Sequence, residues 1–404
     1  MGTMSRVLPP TPSALLALRR RVTLAASTTQ PGQGDNPEAA PVSAAEARAA
    51  AATGAAHPAV ARGVRTLGGR LEALTIPRRA ADPHDVVIDV EFCGLCHSDV
   101  HAARGEWGNR VLPLVPGHEI VGRVAAVGSA VTAHAVGDRV GVGVVVASCR
   151  ECDACLRGQE MFCEAGSVGT YGAWDRFHAE RTQGGYATSV VVAEDFVLRV
   201  PGSLDPAAVA PLLCAGITTY SPLRKAGVGP GDRVAVAGLG GLGHLAVKLA
   251  VAMGAEVTVV TTNPAKAADA AALGASGVLL STDAGAMAAA AGRFHVVVDA
   301  IAAEHDVNVL LRALRPGGSL LQVGLPPAGV EEVDASLLVR NGLSLVGSKI
   351  GGIPETQEML DFCAEHGVGT SIELVDAEGL DEAWDRMVAG DVRYRFVLDA
   401  ATLA

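Results

Sequence analysis

The segment that most constrains the fold is a glycine-rich turn in the second half of the chain, Gly238-Leu239-Gly240-Gly241-Leu242-Gly243. A short apolar strand over residues 233–237 precedes it, and a segment with helical periodicity, residues 244–253, follows it. Glycines at this spacing let a phosphate approach the backbone and the start of the helix, provided that a strand leads in and a helix leads out. Because both conditions are met, these six residues are predicted to bind a dinucleotide.

Strands and helices alternate around that turn. Five more strands are predicted, at residues 256–260, 278–280, 294–299, 319–323 and 343–346. Strands that alternate with helices favour a parallel, doubly wound sheet, here of six strands, and thus an α/β fold. Because the six-strand count is then full, residues 354–404 are predicted to return to the preceding domain.

The preceding domain is predicted to be rich in β-strands. Val86, Ile88, Val90 and Phe92 alternate with less apolar residues, which is typical of a half-buried strand, and this strand delivers Cys96. Three further β-rich segments follow, at residues 122–127, 139–145 and 189–200.

Two groups of cysteines predict two metal sites of different kinds. The first group could fill all four positions of a tetrahedral zinc and would be structural, with a redox Cys-x-x-Cys pair as the alternative. It lies within fifteen residues and consists of Cys149, Cys152, Cys155 and Cys163. The second combines Cys96 and His118 with the distant Cys214. Two thiolates and an imidazole leave one position of a zinc ion open, which makes a Lewis-acid site, unless these residues are merely buried in a core.

Composition limits the partners and the compartment. The chain has 404 residues, 49% of them hydrophobic, enough for two domains, and a net charge of −11 that disfavours nucleic acid and anionic membranes as partners. No apolar run reaches the 18 residues of a membrane span. Eight cysteines, four of them clustered, suggest metal ligands in a reducing compartment. We therefore expect a cytoplasmic protein.

Residues 1–65 are predicted to be a disordered N-terminal extension. Residues 1–34 lack acidic side chains and contain Arg19-Arg20-Arg21, and the remainder is rich in proline and alanine, with one possible helix over residues 44–52. An Arg-rich, acid-poor start is also typical of an organellar transit peptide, which is the alternative. In either case, the residues before Thr66 are predicted to be dispensable.

From residue 66 to the C-terminus the chain resembles the zinc-containing medium-chain alcohol dehydrogenases, most of all the cinnamyl-alcohol-dehydrogenase-like, NADP-dependent aldehyde reductases. The resemblance is carried by Gly94-Leu95-Cys96-His97-Ser98-Asp99, Gly117-His118-Glu119, the four clustered cysteines, residues 211–219, and Gly347-Ser348-x-Ile350-Gly351. It implies a GroES-like catalytic domain over residues 66–205 and 350–404, a Rossmann NADP-binding domain over residues 206–349, and a homodimer.

The resemblance also implies roles around the open zinc site. Cys96, His118 and Cys214 match its ligands, and Glu119 matches a neighbouring carboxylate that can bind the ion. Asp99 matches a residue that orients the ligand histidine. Two further residues, Ser98 and His101, match a relay that carries a proton between the substrate oxygen and solvent. Trp107 is expected to line the substrate pocket.

The expected coenzyme is NADP(H). The second strand of the Rossmann domain ends in Thr261-Thr262-Asn263, where NAD-binding domains place an acidic residue, and Lys266 is the first basic residue beyond it. Threonine hydroxyls and a lysine can bind a 2′-phosphate, although Thr262 could instead cap the next helix. The remaining expected coenzyme contacts are the glycine-rich turn, His97, Ser98, Thr218, Gly324, Ser348, Lys349 and Ile350. Lys349 departs from the family, which has an apolar residue there, and could face solvent or the pocket entrance.

These patterns predict a zinc-dependent, NADP(H)-dependent alcohol dehydrogenase that acts mainly as an aldehyde reductase on primary aromatic or aliphatic substrates, with two zinc ions per chain. Two alternatives stay open: a zinc polyol or amino-acid dehydrogenase, and a catalytically silent nucleotide-binding scaffold that keeps the structural zinc alone. Metal content separates the scaffold, with one zinc, from the enzymes.

Overall fold

The computed structural model describes residues 35–108, 111–326 and 332–403. Its strands are β1 (His57–Gly63), β2 (Glu72–Arg78), β3 (Asp85–Gly94), β4 (Ile120–Val127), β5 (Arg139–Val142), β6 (Val145–Ala147), β7 (Val168–Gly169), β8 (Trp174–Asp175), β9 (Glu180–Arg181), β10 (Ser189–Ala193), β11 (Leu198–Arg199), β12 (Arg233–Ala237), β13 (Glu256–Thr261), β14 (Gly277–Leu280), β15 (Phe294–Asp299), β16 (Leu314–Gln322), β17 (Ser344–Gly347), β18 (Ile372–Val375) and β19 (Arg395–Asp399).

The helices lie mainly in the second half of the chain. They are α1 (Ala44–Ala51), α2 (His97–Ala103), α3 (Asp153–Leu156), α4 (Pro206–Val209), α5 (Ala215–Lys225), α6 (Gly243–Ala252), α7 (Ala267–Ala272), α8 (Ala284–Ala289), α9 (Val307–Ala313), α10 (Ala335–Asn341), α11 (Ile353–His366) and α12 (Leu380–Val388). Short 3₁₀ turns add Glu160–Phe162, Glu194–Phe196, Ala210–Leu213, Pro264–Lys266 and Ala400–Thr402. None of the helices within the described ranges is long and apolar enough to cross a membrane.

The predicted six-stranded parallel sheet is confirmed, with strand order β14-β13-β12-β15-β16-β17 and parallel pairing throughout. The chain leaves β12 through the glycine-rich turn and enters α6. Gly238 has φ +87°, and a Cβ on Gly243 would lie 1.8 Å from the carbonyl oxygen of Gly238. Strand and helix therefore approach each other so closely that only glycine fits at residue 243.

A second sheet is assembled from both ends of the chain. Its order is β11-β5-β4-β3-β19-β18, and β10 also pairs with β3. Strand β19 pairs antiparallel with β3, so the C-terminal segment returns to this sheet. The predicted β-rich segments over residues 139–145 and 189–200 each contain two strands. Residues 143–144 separate β5 from β6, and a 3₁₀ turn separates β10 from β11, so the two halves of each segment pair with different strands.

The predicted disorder of residues 1–65 is wrong for residues 35–65; residues 1–34 lie outside the described residues. Helix α1 begins with a Ser43–Glu46 capping box, and its Ala47 and Ala51 are fully buried. Strand β1 pairs with β2 over its whole length. The composition of this segment is misleading because an alanine side chain buries little apolar area on folding. Alanine nevertheless fits a close helix contact in which a larger side chain would clash.

Helix α6 buries a histidine in its first turn. His244 is fully buried, its Nδ1 lies 3.1 Å from the carbonyl oxygen of Gly240, and its ring stacks on Tyr394 with centroids 4.7 Å apart. Burial lowers the pKa of His244 to about 3. This histidine is therefore neutral and serves packing.

Candidate active site

The centre of the candidate site begins where β3 ends. After Gly94 and Leu95 the chain turns into α2, whose first residue is preceded by Cys96 in an extended conformation. The backbone N–H of Cys96 donates to Oδ2 of Asp99 at 2.9 Å, which fixes this turn. A Cβ on Gly94 would lie 1.9 Å from Oε2 of Glu119, so the strand can pass this carboxylate only as glycine.

Four donors from three parts of the chain meet here. Cys96, His118, Glu119 and Cys214 each contribute one ligand atom, and these atoms all lie within 4.8 Å of one another. Cys214 comes from the junction between the 3₁₀ turn Ala210–Leu213 and α5, whereas His118 and Glu119 immediately precede β4. His118 is 4% exposed and Glu119 is fully buried. We call this group the mixed-donor centre.

Asp99 holds the histidine of this centre in place. Its Oδ1 lies 3.3 Å from Nδ1 of His118 and accepts a hydrogen bond from the N–H of Gly117. Its Oδ2 accepts a bond of 3.0 Å from the hydroxyl of Tyr186. Because Asp99 is fully buried, these donors compensate its charge and leave Nε2 of His118 directed away from it.

Two atoms of the mixed-donor centre have no hydrogen-bond partner among the described residues. Within the described residues, Nε2 of His118 and Oε2 of Glu119 are buried without a hydrogen bond. Unpaired buried polar atoms are costly, and two thiols, an imidazole and a carboxylate are suitable ligands for zinc. The hydrogen bond from Cys214 lowers the pKa of Cys96, and the same contact raises the pKa of Cys214. One sulfur is thus prepared as a thiolate, and the donor set fits a zinc ion held by Cys96, His118 and Cys214.

A buried arginine that the sequence analysis missed balances this charge. Arg395, at the start of β19, is 6% exposed and donates to Oε1 of Glu119 at 2.6 Å and to the carbonyl of Leu95 at 2.6 Å. Burial nevertheless raises the pKa of Glu119 to about 8, against the opposing effect of Arg395. A signal existed in the sequence, because a charged residue that opens the apolar run Arg395-Phe396-Val397-Leu398 requires a buried partner.

The two residues of the expected proton relay lie one turn apart on α2. Ser98 is within 3.5 Å of the sulfur of Cys96, so its hydroxyl is at the mixed-donor centre. His101 is partly exposed, is hydrogen-bonded through Nδ1 to Glu106, and stacks on Trp107 with centroids 5.1 Å apart. Trp107 is 55% exposed, and Glu106 was not anticipated from the sequence. His97, also on α2, is exposed.

The four clustered cysteines also meet, in what we call the four-cysteine loop (residues 149–163). Their sulfurs all lie within 4.8 Å of one another. The backbone N–H groups of Cys149, Cys152 and Glu164 each lie 3.4 Å from a sulfur of the cluster. Because N–H donors stabilise thiolates, this loop supplies its own compensation and fits a closed tetrahedral zinc site.

A third group of possible ligands does not fit a metal as well. Asp82, Asp85 and His178 have ligand atoms within 4.8 Å of one another. The Arg79 guanidinium already forms an ion pair with Asp85, and His178 is paired with Asp175 at 2.6 Å. These groups are satisfied by each other.

The expected coenzyme residues lie at the carboxyl ends of the parallel strands. The glycine-rich turn follows β12, and a Cβ on Gly240 would meet no atom within 4 Å, so this side of the turn is open. Asn263, rather than Thr262, caps the next helical turn through its Oδ1. Thr262 is exposed beside it, and Nζ of Lys266 donates to the carbonyl of Leu239 at 2.7 Å. Burial lowers the pKa of Lys266.

The other expected contacts are spread around the same edge. Thr218 lies one turn after Cys214 on α5 and is 9% exposed. Gly324 follows β16, and Ser348 follows β17 with its N–H bonded to the carbonyl of Gln322. The Lys349 side chain is exposed, and its Nζ donates to the carbonyl of Met161 in the four-cysteine loop at 3.2 Å.

Arg395 joins the glycine-rich turn to the mixed-donor centre. A Cβ on Gly241 would lie 2.9 Å from Cδ of Arg395, whose guanidinium contacts Glu119. A dinucleotide bound along the glycine-rich turn would therefore lie on one side of Arg395, and a ligand at the mixed-donor centre would lie on the other. The glycine-rich turn and the mixed-donor centre are thus neighbours in the fold.

Comparison with known proteins identifies two families along the chain. Residues 82–202 match the alcohol dehydrogenase GroES-like domain, and residues 241–365 match the zinc-binding dehydrogenases. The chain is 53% identical over 334 residues to NADP-dependent alcohol dehydrogenase C 1 of Mycolicibacterium smegmatis, covering 82% of this chain and 95% of that protein.

Two further similarities extend this result. The chain is 48% identical over 334 residues to the aldehyde reductase YahK of Escherichia coli, covering 82% of this chain and 95% of that protein. It also resembles the crystal structure of the cinnamyl alcohol dehydrogenase of Helicobacter pylori in complex with NADP(H). The TM-score is 0.80 at 38% identity, over 86% of this chain and 99% of the other.

Proposed function

The chain belongs to the zinc-binding alcohol dehydrogenase family, and we propose that it interconverts primary alcohols and aldehydes with NADP(H), working mainly as an aldehyde reductase. The observation that carries this proposal is the position of Arg395, which contacts the glycine-rich turn on one side and Glu119 on the other. The NADP-dependent names of the relatives and the Helicobacter pylori complex support the coenzyme. These similarities favour this activity over a silent scaffold and over a polyol or amino-acid dehydrogenase.

We assign the zinc of the mixed-donor centre to Cys96, His118 and Cys214. When bound there, zinc would act as a Lewis acid that polarises the substrate oxygen. Asp99 fixes the orientation of His118, and Arg395 donates a hydrogen bond to the buried Glu119. The protein itself supplies the proton path: the hydroxyl of Ser98 is next to Cys96, and His101 with Glu106 leads toward solvent.

We assign the 2′-phosphate of the coenzyme to the region around Thr262 and Lys266. No carboxylate occupies the run Thr261-Thr262-Asn263 that would repel the phosphate, and Lys266 is held beside the glycine-rich turn by its bond to Leu239. Charge-assisted hydrogen bonds contribute roughly 1.5–3 kcal/mol each. One or two of them should favour NADPH over NADH by about tenfold or more.

The test compares kcat/KM for NADPH and NADH with one aldehyde in the parent and in Thr262→Asp. The added carboxylate should remove much of the preference for NADPH because it opposes the phosphate. Ser203→Asp, on an exposed turn remote from the glycine-rich turn in sequence, is the control for added negative charge. Equal or better use of NADH by the parent would overturn the assignment.

The resemblance to this family implies a homodimer, and we propose that two copies associate through β17. Strand β17 is the last strand of the parallel sheet, and all four of its residues are exposed. Leu345 is 39% and Val346 is 42% exposed, and the neighbouring helix α10 has no buried residue. An apolar edge strand readily pairs with a second copy. Sedimentation of the parent and of Val346→Lys tests this: a dimer that the substitution converts to monomer supports it.

The division into domains and the compartment are likewise proposals. We place a GroES-like catalytic domain at residues 66–205 and 350–404, with residues 35–65 added to it because β1 pairs with β2, and a Rossmann domain at residues 206–349. All eight cysteines are free thiols, which supports a reducing compartment such as the cytoplasm.

A further inference from the structure

The segment that follows β17 rests on the four-cysteine loop. We call residues 348–354, which connect β17 to α11, the hinge segment. A Cβ on Gly352 would lie 1.7 Å from the carbonyl oxygen of Gly158, and a Cβ on Gly158 would lie 3.0 Å from Cγ of Pro354. The two backbones are therefore in direct contact, and both positions require a residue without a side chain.

Polar contacts reinforce this packing. Oε2 of Glu160 accepts a hydrogen bond of 3.0 Å from the N–H of Ile353, the first residue of α11. The preceding residue, Gly352, has no side chain that could cap this helix. Glu160 therefore satisfies an unpaired N–H at the helix start, where a negative charge is also favoured by the helix dipole.

Lys349 makes the second polar contact. Its Nζ donates to the carbonyl of Met161 at 3.2 Å and lies 6.0 Å from the ring centroid of Phe162. Both acceptors lie between Cys155 and Cys163, within the part of the chain that the four sulfurs close into a loop. Lys349 thus ties the hinge segment to a structure whose shape depends on those sulfurs. Ile350, the next residue, has φ +41°, so the backbone there is held in an unusual conformation.

From these contacts we propose that the four-cysteine loop positions the coenzyme-binding part of the hinge segment, Ser348–Ile350, with Lys349 and Glu160 as the positioning residues. The proposal rests on the proposed function and on the expected coenzyme contacts at Ser348, Lys349 and Ile350. Its consequence is that coenzyme affinity depends on an intact four-cysteine loop. By thermodynamic reciprocity, bound coenzyme must then stabilise the loop by the same factor.

The first experiment measures the dissociation constant of NADPH by fluorescence titration, together with kcat and KM. Lys349→Met removes one hydrogen bond and should raise the dissociation constant about three- to tenfold. Lys349→Arg can still reach the carbonyl of Met161 and should restore most of the affinity. Arg315→Gln, an exposed cation at the amino end of β16, is the control for loss of positive charge.

The second experiment tests reciprocity without measuring activity. The Cys96→Ser background removes one ligand of the mixed-donor centre, so that the zinc of the four-cysteine loop is the one measured. Equilibrium competition with a chromogenic chelator gives the zinc dissociation constant of this loop. Saturating NADPH should lower that constant about three- to tenfold, and Lys349→Met or Glu160→Gln should abolish most of this protection of zinc.

The outcomes separate this proposal from the proposed function. A parent that fails to bind NADPH contradicts the proposed function itself. A parent that binds NADPH, while Lys349→Met leaves both the dissociation constant and the protection of zinc unchanged, overturns only the positioning role. Since Lys349 is exposed, its substitution is compatible with folding, and it decides the question even if Glu160→Gln is unstable.

Discussion

The mixed-donor centre and the four-cysteine loop are both built around cysteine sulfurs, yet they obtain their order from opposite sources. The four-cysteine loop takes all four ligands from fifteen consecutive residues, and backbone N–H groups of the same loop approach its sulfurs. The mixed-donor centre takes its ligands from residues 96 to 214 and relies on Arg395, near the C-terminus, for charge balance. One is a local structure and the other is a product of the whole fold.

This difference explains why one centre is suited to stabilising a loop and the other to accepting a substrate. A closed set of four thiolates leaves no position for a substrate, so its metal can only stabilise a loop. In the mixed-donor centre, Nε2 of His118 and Oε2 of Glu119 lack hydrogen-bond partners within the described residues. Ligand residues without hydrogen bonds of their own must be held in position by the surrounding structure. The mixed-donor centre therefore needs partners such as Asp99 and Arg395, whereas the four-cysteine loop does not.

The largest effect is expected from Cys152→Ser, which breaks the local centre. In small zinc-dependent peptides, metal binding contributes on the order of 10 kcal/mol to folding, so loss of one ligand should strongly lower the melting temperature and the yield of folded protein. Zinc analysis should fall from two ions per chain to one. A variant that melts like the parent would show that the four cysteines do not hold a metal.

Cys96→Ser should affect rate instead of stability. Because Lewis-acid stabilisation contributes several kcal/mol to the transition state, kcat should fall by about a thousandfold or more while NADPH still binds. Cys363→Ala, which alters a buried cysteine outside both centres, is the matched control and should keep kcat. Near-normal reductase activity in Cys96→Ser would refute the zinc mechanism.

Arg395→Met tests the dependence of the mixed-donor centre on a distant charge. Removing one partner of a buried ion pair leaves Glu119 uncompensated and should lower the free energy of unfolding by about 3–5 kcal/mol in urea titrations. The double variant with Glu119→Gln should recover much of this loss. For comparison, Arg150→Gln breaks an exposed ion pair with Asp195 beside the four-cysteine loop and should cost less than about 1 kcal/mol. Equal losses in the free energy of unfolding for Arg395→Met and Arg150→Gln would contradict the proposed difference between the two centres.

The smallest effect is expected at the N-terminal segment. Asn36 is 5% exposed, and its Nδ2 donates to the carbonyl of Pro113, in the loop that leads to His118. Asn36→Ala should therefore lower the free energy of unfolding by about 1–3 kcal/mol. Glu38→Gln, at an exposed ion pair with Arg65, is the control. No loss in Asn36→Ala would restore the interpretation of this segment as dispensable.

The sequence was sufficient for features whose physical cause is local. The parallel sheet was predictable because β12, the glycine-rich turn and α6 are consecutive, and the four-cysteine loop because its ligands are close in sequence. The role of Arg395 was not predictable in the same way, since its partner Glu119 lies 276 residues away and only β19 pairing with β3 brings them together.

The order of residues 35–65 was missed for a related reason. The composition of this segment predicts that it has too little apolar area to pack on the rest of the protein. However, Arg48 of α1 donates to the carbonyl of Ala400 and pairs with Asp89 on β3. These contacts lie 352 and 41 residues away in sequence. A segment with few apolar residues can thus be ordered by backbone and ion-pair partners that composition does not show.

The buried imidazole of His244 sets a limit on tolerance to acid. The pKa of His244 is about 3 in the folded protein and 6.5 in the unfolded chain. Between these two values of pH, the unfolded chain binds a proton at His244 and the folded protein does not. The contribution of His244 to the free energy of unfolding is highest above pH 6.5 and falls as the pH is lowered toward 3. At pH 5 this contribution is already lower by about 2 kcal/mol. Mild acidification should therefore lower the free energy of unfolding, and urea titrations at pH 7 and pH 5 measure the difference.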